Sequence, residues 1–194
     1  MTGEKTPATP PGLQIVLSGL GGQGVLFVSR LLADAAIRRG EPVLTSETHG
    51  MAQRGGIVLS HLKIGGFASP LVRTGRADGL FVLKEENLSR HRPFLAPSGW
   101  VVVNARTDRT GEPGDGVHAV DADGLAIAAG NGRAANLVLL GFALARLGAR
   151  GGDGRRFFSE EEMREALADR MGKKEADLKA SFDALSLGMR HGKR

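Results

Sequence analysis

The first apolar segment of the chain is a strand–turn–helix unit, and this unit constrains the fold more than any other feature. The apolar run LQIVLS (residues 13–18) leads into the glycine cluster GLGGQG (residues 19–24). A run with helical periodicity follows from Val25 to Arg39, and Gly40 is a typical helix-terminating residue. Because short β-branched runs that end in glycine are typical of buried strands, the unit predicts an α/β fold.

The glycine cluster is a candidate phosphate-binding loop. Its candidate residues are Gly19, Gly21, Gly22, Gln23 and Gly24. Three of the glycines have the spacing G-x-G-x-x-G, which in dinucleotide-binding folds lets backbone amides and a helix N-terminus face a phosphate. Dinucleotide binding also needs an acidic residue about 20 residues further along, and Glu47 could bind the ribose there. The alternative is that the glycines serve only the tight turn and the close packing of helix on strand.

Strand-like and helix-like runs alternate along the rest of the chain. Further strands are predicted at residues 42–47, 57–64, 79–83, 100–104 and 117–120. Helices are predicted before Arg92, over 121–130 and 131–148, after a capping box of Ser159 and Glu162, and over 174–189. This alternation predicts a three-layer α/β/α sandwich with a mostly parallel, Rossmann-like sheet and C-terminal helices. We expect residues 1–12 to be a disordered N-terminal extension and residues 13–194 to form a single domain.

A second candidate site is the polar loop SETHGMAQRGG, residues 46–56. Its polar residues are Glu47, His49, Gln53 and Arg54, and Gly55 and Gly56 follow them. The loop leaves the carboxyl end of a predicted strand, which is the edge where open α/β sheets bind ligands. Arg54 could hold a carboxylate or phosphate with two hydrogen bonds, and His49 could act as a general base. The alternative is an ordinary polar crossover.

The segment ANLVLLGFALA, residues 135–145, is apolar nearly all round. A helix of this kind is not stable with one side in water. We therefore expect one face of it in the core and another against a partner subunit or a second copy of the chain.

Composition excludes several kinds of site. The sequence has no cysteine, so it holds no disulfide, no thiol nucleophile and no cysteine-ligated Fe–S cluster. No histidine pair has metal-ligand spacing, so no metal site is predicted. The net charge of +5 comes from interleaved charges without a basic run among aromatic residues, so nucleic-acid binding is not expected. No apolar run approaches the length of a membrane span, and a cytoplasmic location without membrane attachment is expected.

Four stretches, taken in this order, resemble one protein family. They are GLGGQGVLFVSRLLADAA, TSETHGMAQRGGIVLSHLKIG, ADGLFVLKEENLSRHRPFLAPSGWVVVN and NGRAANLVLLG. The chain resembles the gamma-type domain of 2-oxoacid:ferredoxin oxidoreductases over about residues 13–190. Within that family it is most similar to the small (beta) subunit of indolepyruvate:ferredoxin oxidoreductase, because SETHGMAQRGG is typical of the aryl-pyruvate branch.

The resemblance implies a reaction and implies that its cofactors belong to another subunit. A 2-oxoacid is oxidatively decarboxylated, the acyl group passes to coenzyme A as co-substrate, and the electrons pass to ferredoxin. Thiamine diphosphate, Mg and [4Fe-4S] clusters belong to a large (alpha) subunit, so this chain alone is expected to bind none of them and to be inactive. The resemblance associates the gamma-type domain with completing the assembly and with the coenzyme A side of the reaction. The glycine loop, together with Glu47, Gln53, Gly55 and Gly56, is then a candidate site for coenzyme A phosphates, and the alternative is that its glycines only pack. A homodimer is possible when the chain is alone.

One alternative from another class stays open on the sequence. It is a stand-alone NAD(P)-binding, Rossmann-type reductase or nucleotide-binding module. It would use the glycine loop together with Glu47.

Overall fold

The computed structural model describes residues 12–49, 55–106, 116–148, 157–172 and 174–193. Within these ranges it has six strands and six helices. The strands are β1 (Leu13–Leu20), β2 (Val43–His49), β3 (Ile57–Ile64), β4 (Ala77–Val82), β5 (Leu95–Asn104) and β6 (Val117–Val120). The helices are α1 (Val25–Arg38), α2 (Asn87–His91), α3 (Ala122–Ala128), α4 (Ala135–Leu147), α5 (Glu160–Met171) and α6 (Glu175–Gly192). Apart from Gly12, the predicted disordered extension lies outside the described residues, so its disorder stays a prediction.

The strands form one sheet in the order β2-β3-β1-β4-β5-β6. β1, β4, β5 and β6 are parallel, whereas β3 is antiparallel to both of its neighbours, β1 and β2. The predicted mostly parallel α/β sandwich is confirmed. β3 departs from the parallel pattern because the connection from His49 to Ile57 is too short for a crossover, which needs about a dozen residues or more.

The two faces of the sheet are covered very differently. One face, here called the helix-rich face, carries the larger core and packs against α1, α3, α4, α5 and α6. The other, here called the thin face, is covered by α2, by a 3₁₀ turn at Arg92–Phe94 and by the segment 65–76, which contributes Val72 to a smaller core. Helices thus lie on both faces, with most of the helical mass on one.

Helices α4 and α6 approach each other unusually closely on the helix-rich face. A Cβ added to Gly141 would lie 1.9 Å from the Leu185 carbonyl oxygen, and one added to Gly188 would lie 1.9 Å from the Val138 carbonyl oxygen. Only glycine permits this backbone approach. The sequence placed a partner subunit against the second face of α4, and this was wrong, because α6 of the same chain covers that face. All of α4 from Asn136 to Leu144 is buried.

The predicted capping box opens α5 and anchors it to α1. The Ser159 hydroxyl accepts the N–H of Glu162, and the Glu162 carboxylate accepts the N–H of Ser159. Arg39, at the C-terminus of α1, donates two hydrogen bonds of 2.6 Å to that carboxylate and a third of 3.2 Å to the Phe157 carbonyl. The guanidinium also lies 4.4 Å above the ring of Phe158. We call this set of contacts the α1–α5 clasp.

Candidate ligand-binding edge

The glycine loop and the RGG turn meet at one edge of the sheet. β2 and β1 run in the same direction because both are antiparallel to β3, so their carboxyl ends lie at the same edge. Leu20 pairs with Ile57, and just beyond this pair the N–H of Gly21 donates a 2.9 Å hydrogen bond to the Gly56 carbonyl. Two motifs more than 30 residues apart in the sequence therefore form one surface.

The glycines of this edge are required for different reasons. Gly22 and Gly55 have φ angles of 92° and 72° with open space around them, so they shape the backbone and leave room above it. Gly19 packs the strand on the helix, since a Cβ there would lie 2.7 Å from Val25 Cγ2. Gly24 has φ 82° and admits the Asn136 side chain, whose Nδ2 would lie 2.2 Å from an added Cβ.

Gln23 stabilises the turn itself. Its Oε1 accepts the N–H of Leu20 at 2.7 Å, and its Nε2 donates to the Leu83 carbonyl at 3.3 Å. The N-terminus of α1 that follows has no side-chain cap and no acidic residue in its first turn. Its free amides and the positive end of the helix dipole therefore face the edge, which suits an anion.

Asparagines that the sequence analysis did not single out hold the neighbouring strand ends together. Asn104, at the end of β5, accepts the N–H groups of Ala122 and Asp123 and donates to the Leu83 carbonyl and the Asp123 carboxylate. Asn87 of α2 donates to the Ser18 hydroxyl and the Gly19 carbonyl. A polar residue that directly follows a buried run, as in WVVVN, is the sequence signal that could have found Asn104.

Two adjoining cavities open between these strand ends and the N-terminus of α4. The first, about 350 Å³, is lined by Gly22, Gln23, Leu83, Asn104, Asp123, Gly132, Arg133, Ala135 and Asn136. The second, about 410 Å³, shares Leu83, Asn104 and Asp123 with the first and extends along Lys84 to Glu86 and Arg106. Their polar walls and mixed charges suit a ligand that carries both hydrogen-bonding groups and charge.

Charges around the second cavity are partly paired. Lys84 lies 3.0 Å from Glu86. A backbone hydrogen bond and this lysine lower the pKa of Glu86. Arg133 lines the first cavity and Arg106 lines the second, and both residues are exposed. The two cavities are thus lined by cationic groups and by carboxylates.

Glu47 does not occupy the position that dinucleotide binding requires. In the dinucleotide-binding fold the acidic residue ends the strand directly beside β1, whereas here β3 lies between β1 and β2. The Glu47 carboxylate lies 3.6 Å from the Arg30 guanidinium of α1. The alternative of a stand-alone NAD(P)-binding module is therefore not favoured.

Part of the second predicted loop lies outside the described residues. This holds for Gln53 and Arg54, and for His49 the structure describes only its place at the end of β2. Gly55 and Gly56 are described and lie against the glycine loop. The roles predicted for Arg54 and His49 stay predictions.

Among the residues that the structure describes, no group of three or more His, Asp or Glu residues could hold a metal ion. No helix in the described ranges is long and apolar enough to span a membrane.

The family of the chain follows from its comparison with known proteins. The family model of the pyruvate ferredoxin/flavodoxin oxidoreductase domain matches residues 14–191. The chain therefore belongs to this family, and the resemblance seen in its motifs is confirmed.

Sequence relatives agree with this assignment. The chain is 46% identical over 94 residues to the indolepyruvate oxidoreductase subunit IorB of Archaeoglobus fulgidus, covering 48% of this chain and 47% of that subunit. It is 32% identical over 185 residues to the ketoisovalerate oxidoreductase subunit VorA of Methanothermobacter thermautotrophicus, covering 92% of this chain and 36% of that one. The match thus spans about half the length of the Archaeoglobus subunit.

Solved structures share the fold. The gamma subunit of a keto/oxoacid ferredoxin oxidoreductase from Geobacter sulfurreducens superposes with a TM-score of 0.69 at 26% identity, covering 93% of this chain and 98% of that one. A 2-oxoglutarate:ferredoxin oxidoreductase from Magnetococcus marinus, solved with 2-oxoglutarate, coenzyme A and succinyl-CoA bound, gives a TM-score of 0.74 at 24% identity, covering 94% of this chain and 31% of that one. The described architecture is that of the gamma subunits of this family.

Proposed function

We propose that this chain is the small subunit of an indolepyruvate-type 2-oxoacid:ferredoxin oxidoreductase. The complex would oxidatively decarboxylate an aryl-pyruvate, transfer the acyl group to coenzyme A and pass two electrons to ferredoxin. The observation that carries the proposal is the hydrogen bond from Gly21 to Gly56, because it joins the two motifs of the family into one edge. The family match over residues 14–191 supports the reaction class.

Thiamine diphosphate, Mg and the Fe–S clusters fit a partner subunit better than this chain. The sequence holds no cysteine to ligate a cluster, and the described residues hold no carboxylate group arranged for a metal. The large subunit would supply the decarboxylation and electron-transfer chemistry. This chain would supply a binding edge.

The glycine edge fits the phosphates of coenzyme A. The uncapped amides at the start of α1 provide unpaired donors, and the open space above Gly22 and Gly55 lets a phosphate approach the backbone. The adjoining cavities offer Arg133 for a second anionic group. Coenzyme A carries several phosphates on a long, partly polar molecule, so its chemistry matches a long edge with donors at separate points.

Arg54 is a candidate on the evidence of the sequence alone. It is proposed to bind a carboxylate or phosphate of one of the two substrates. A charged hydrogen bond of this kind is worth about 1.5–3 kcal/mol. In the assembled complex, Arg54→Ala should therefore lower kcat/KM for coenzyme A or the 2-oxoacid about 10- to 100-fold. Arg54→Lys should recover only part of this, since a point charge cannot form the fork of two hydrogen bonds. Unchanged kinetics for both substrates, with the complex intact, would remove Arg54 from the site.

Co-expression with the large subunit tests the proposed function. The complex should co-purify, contain iron, and reduce a viologen dye only when indolepyruvate and coenzyme A are both present. The small chain purified alone should contain no iron and show no activity. Tight binding of NAD(H) by the isolated chain, with no co-purification, would contradict the proposal.

A further inference from the structure

We propose that the thin face docks on an acidic surface of the large subunit through four arginines, Arg73, Arg76, Arg90 and Arg92. We call these four residues the basic patch. This inference rests on the proposed function, because it names the face through which this chain would join its partner.

Two segments bring the arginines together. The segment 65–76 ends in a turn in which the N–H of Arg76 donates to the Arg73 carbonyl at 3.1 Å. The N–H of Gly75 then donates to the Pro93 carbonyl at 2.9 Å, which fixes this turn beside the 3₁₀ turn that contains Arg92. All four arginine residues are exposed. Arg90 lies on α2, which leads directly into the 3₁₀ turn, so the four arginines lie in one region of the thin face.

The arginines of the basic patch form no ion pair with other described residues. Neither the stretch 65–76 nor the stretch 87–95 contains an Asp or Glu. The arginines that join α1 to α5 are different, since Arg38, Arg39 and Arg170 all contact carboxylates. Unpaired clustered cations create a positive potential that attracts an acidic partner.

The pKa values of side chains buried beneath the patch respond to its positive charge. His61, Lys63 and His91 are buried under it. Burial and the repulsion from Arg73 lower the pKa of Lys63, and burial and the repulsion from Arg90 lower the pKa of His91.

The carboxylate of Asp78 on the neighbouring β4 accepts the N–H of Gln14 at 2.8 Å. The Lys63 ammonium lies 5.0 Å from the Phe67 ring and not in a salt bridge within the described residues.

A protein surface fits the patch better than nucleic acid or a second copy. Leu71, in the same segment as Arg73, is 52% exposed, and arginine beside an apolar side chain is typical of protein interfaces. Single-stranded nucleic acid is bound by exposed aromatic rings, whereas Phe67 and Phe94 of this face are half-buried. A second copy meeting through the same patch would place like charges against each other. We therefore infer that the partner that binds this patch is an acidic protein surface.

Charge reversal tests the docking surface. The test variant is Arg73→Glu/Arg90→Glu, with Arg76→Glu/Arg92→Glu as a second pair. The matched control is Lys174→Glu/Lys193→Glu, which makes the same change in net charge at the exposed residues that flank α6 on either side. Each chain is titrated into the purified large subunit at about 0.05 M and about 0.5 M salt, and affinity and association rate are measured.

We expect each reversed pair to weaken binding about 10-fold or more at low salt, mainly through a slower association rate, and to differ less from the wild type at high salt. The control should bind as the wild type does. Circular dichroism should be unchanged for all three variants.

Equal binding by the wild type and both reversed pairs would overturn the docking surface and leave the proposed function intact. Failure of the wild type to bind the large subunit would overturn both. Retention of the wild type on duplex DNA, lost in the reversed pairs, would also contradict the proposal, because the patch would then serve nucleic acid.

Discussion

The two faces of the sheet use charge in opposite ways. On the helix-rich face, Arg39 forms a bidentate pair with Glu162, and Arg170 contacts Asp34 at 2.7 Å. On the thin face, the four arginines of the basic patch have no ion pair within the described ranges, and two histidines and a lysine are buried beneath them. The paired charges hold α1 against α5, whereas the four unpaired arginines are the ones that we propose bind a partner.

The largest effect is expected where the helix-rich face is most tightly packed. In Gly141→Ala the new Cβ would meet the Leu185 carbonyl at 1.9 Å, so α4 and α6 must move apart. We expect a loss of about 2–3 kcal/mol in the free energy of unfolding, because overpacking outweighs the better helix propensity of alanine. Gly132→Ala is the control, since its Cβ would lie 3.4 Å from Ile127 Cγ1. Equal stability of both variants in urea would show that the helices do not depend on the glycine.

The α1–α5 clasp should give the next largest effect. Arg39→Ala removes two charged hydrogen bonds to Glu162 and the contact with the Phe158 ring. We expect a loss of about 1–3 kcal/mol in the free energy of unfolding. Arg92→Ala, which removes an exposed and unpaired arginine of the patch, should change it by less than about 0.5 kcal/mol. If Arg92→Ala destabilised the chain as much as Arg39→Ala, the distinction between the two faces would be lost.

The two faces should also respond to acid in different pH ranges. The hydrogen bonds from Arg39 lower the pKa of Glu162 to about 2 from its ordinary 4.5. A lowered carboxyl pKa means that the unfolded chain binds more protons, so the stabilisation is complete above pH 4.5 and is lost as the pH falls towards 2. Urea titrations of the wild type and of Glu162→Gln should converge over this range. If the free energies of unfolding of the two proteins differed by the same amount throughout this pH range, the ionised Glu162 carboxylate would not be the group that stabilises the clasp.

The smallest effect is expected from the histidine beneath the basic patch. Burial, together with Lys63 and His91, lowers the pKa of His61 below its ordinary 6.5, and its Nδ1 accepts the N–H of Val72 at 3.3 Å. Protonation removes that acceptor. Stability should therefore be complete above pH 6.5 and decline as the pH falls below it.

We expect a decline of about 1 kcal/mol, observed as faster amide exchange at Val72. In His61→Gln, which keeps an acceptor but does not titrate, the decline should be smaller. An equal decline of stability in His61→Gln would show that other titrating groups cause the decline.

Local sequence patterns predicted most of the helices and strands, because these depend on short-range signals. The β3 segment 57–64 and the capping box of Ser159 and Glu162 were placed correctly, and so was the turn from the first strand into α1. The glycine loop and the RGG turn were predicted as two separate candidate sites. The structure brings them together, and ligand binding there stays a prediction.

Features that depend on distant contacts were not predictable in the same way. The apolar character of α4 does not say which segment covers it, since Gly141 and Gly188 meet only once α6 has folded back. The insertion of β3 beside β1 displaces Glu47 from the position that its spacing suggested. Asn136 reaches Gly24 only through the tertiary fold. The unpaired state of the basic patch likewise depends on which carboxylates the fold brings near.

We propose that this chain completes a 2-oxoacid oxidoreductase that the large subunit does not form alone. A titration of the purified chain into a fixed amount of the large subunit, followed by dye reduction that depends on indolepyruvate and coenzyme A, tests this directly. The rate should rise with added chain and reach a plateau at a fixed molar ratio, and the chain by itself should show no activity. If the large subunit were fully active without the chain and unaffected by adding it, the chain would not be part of the enzyme.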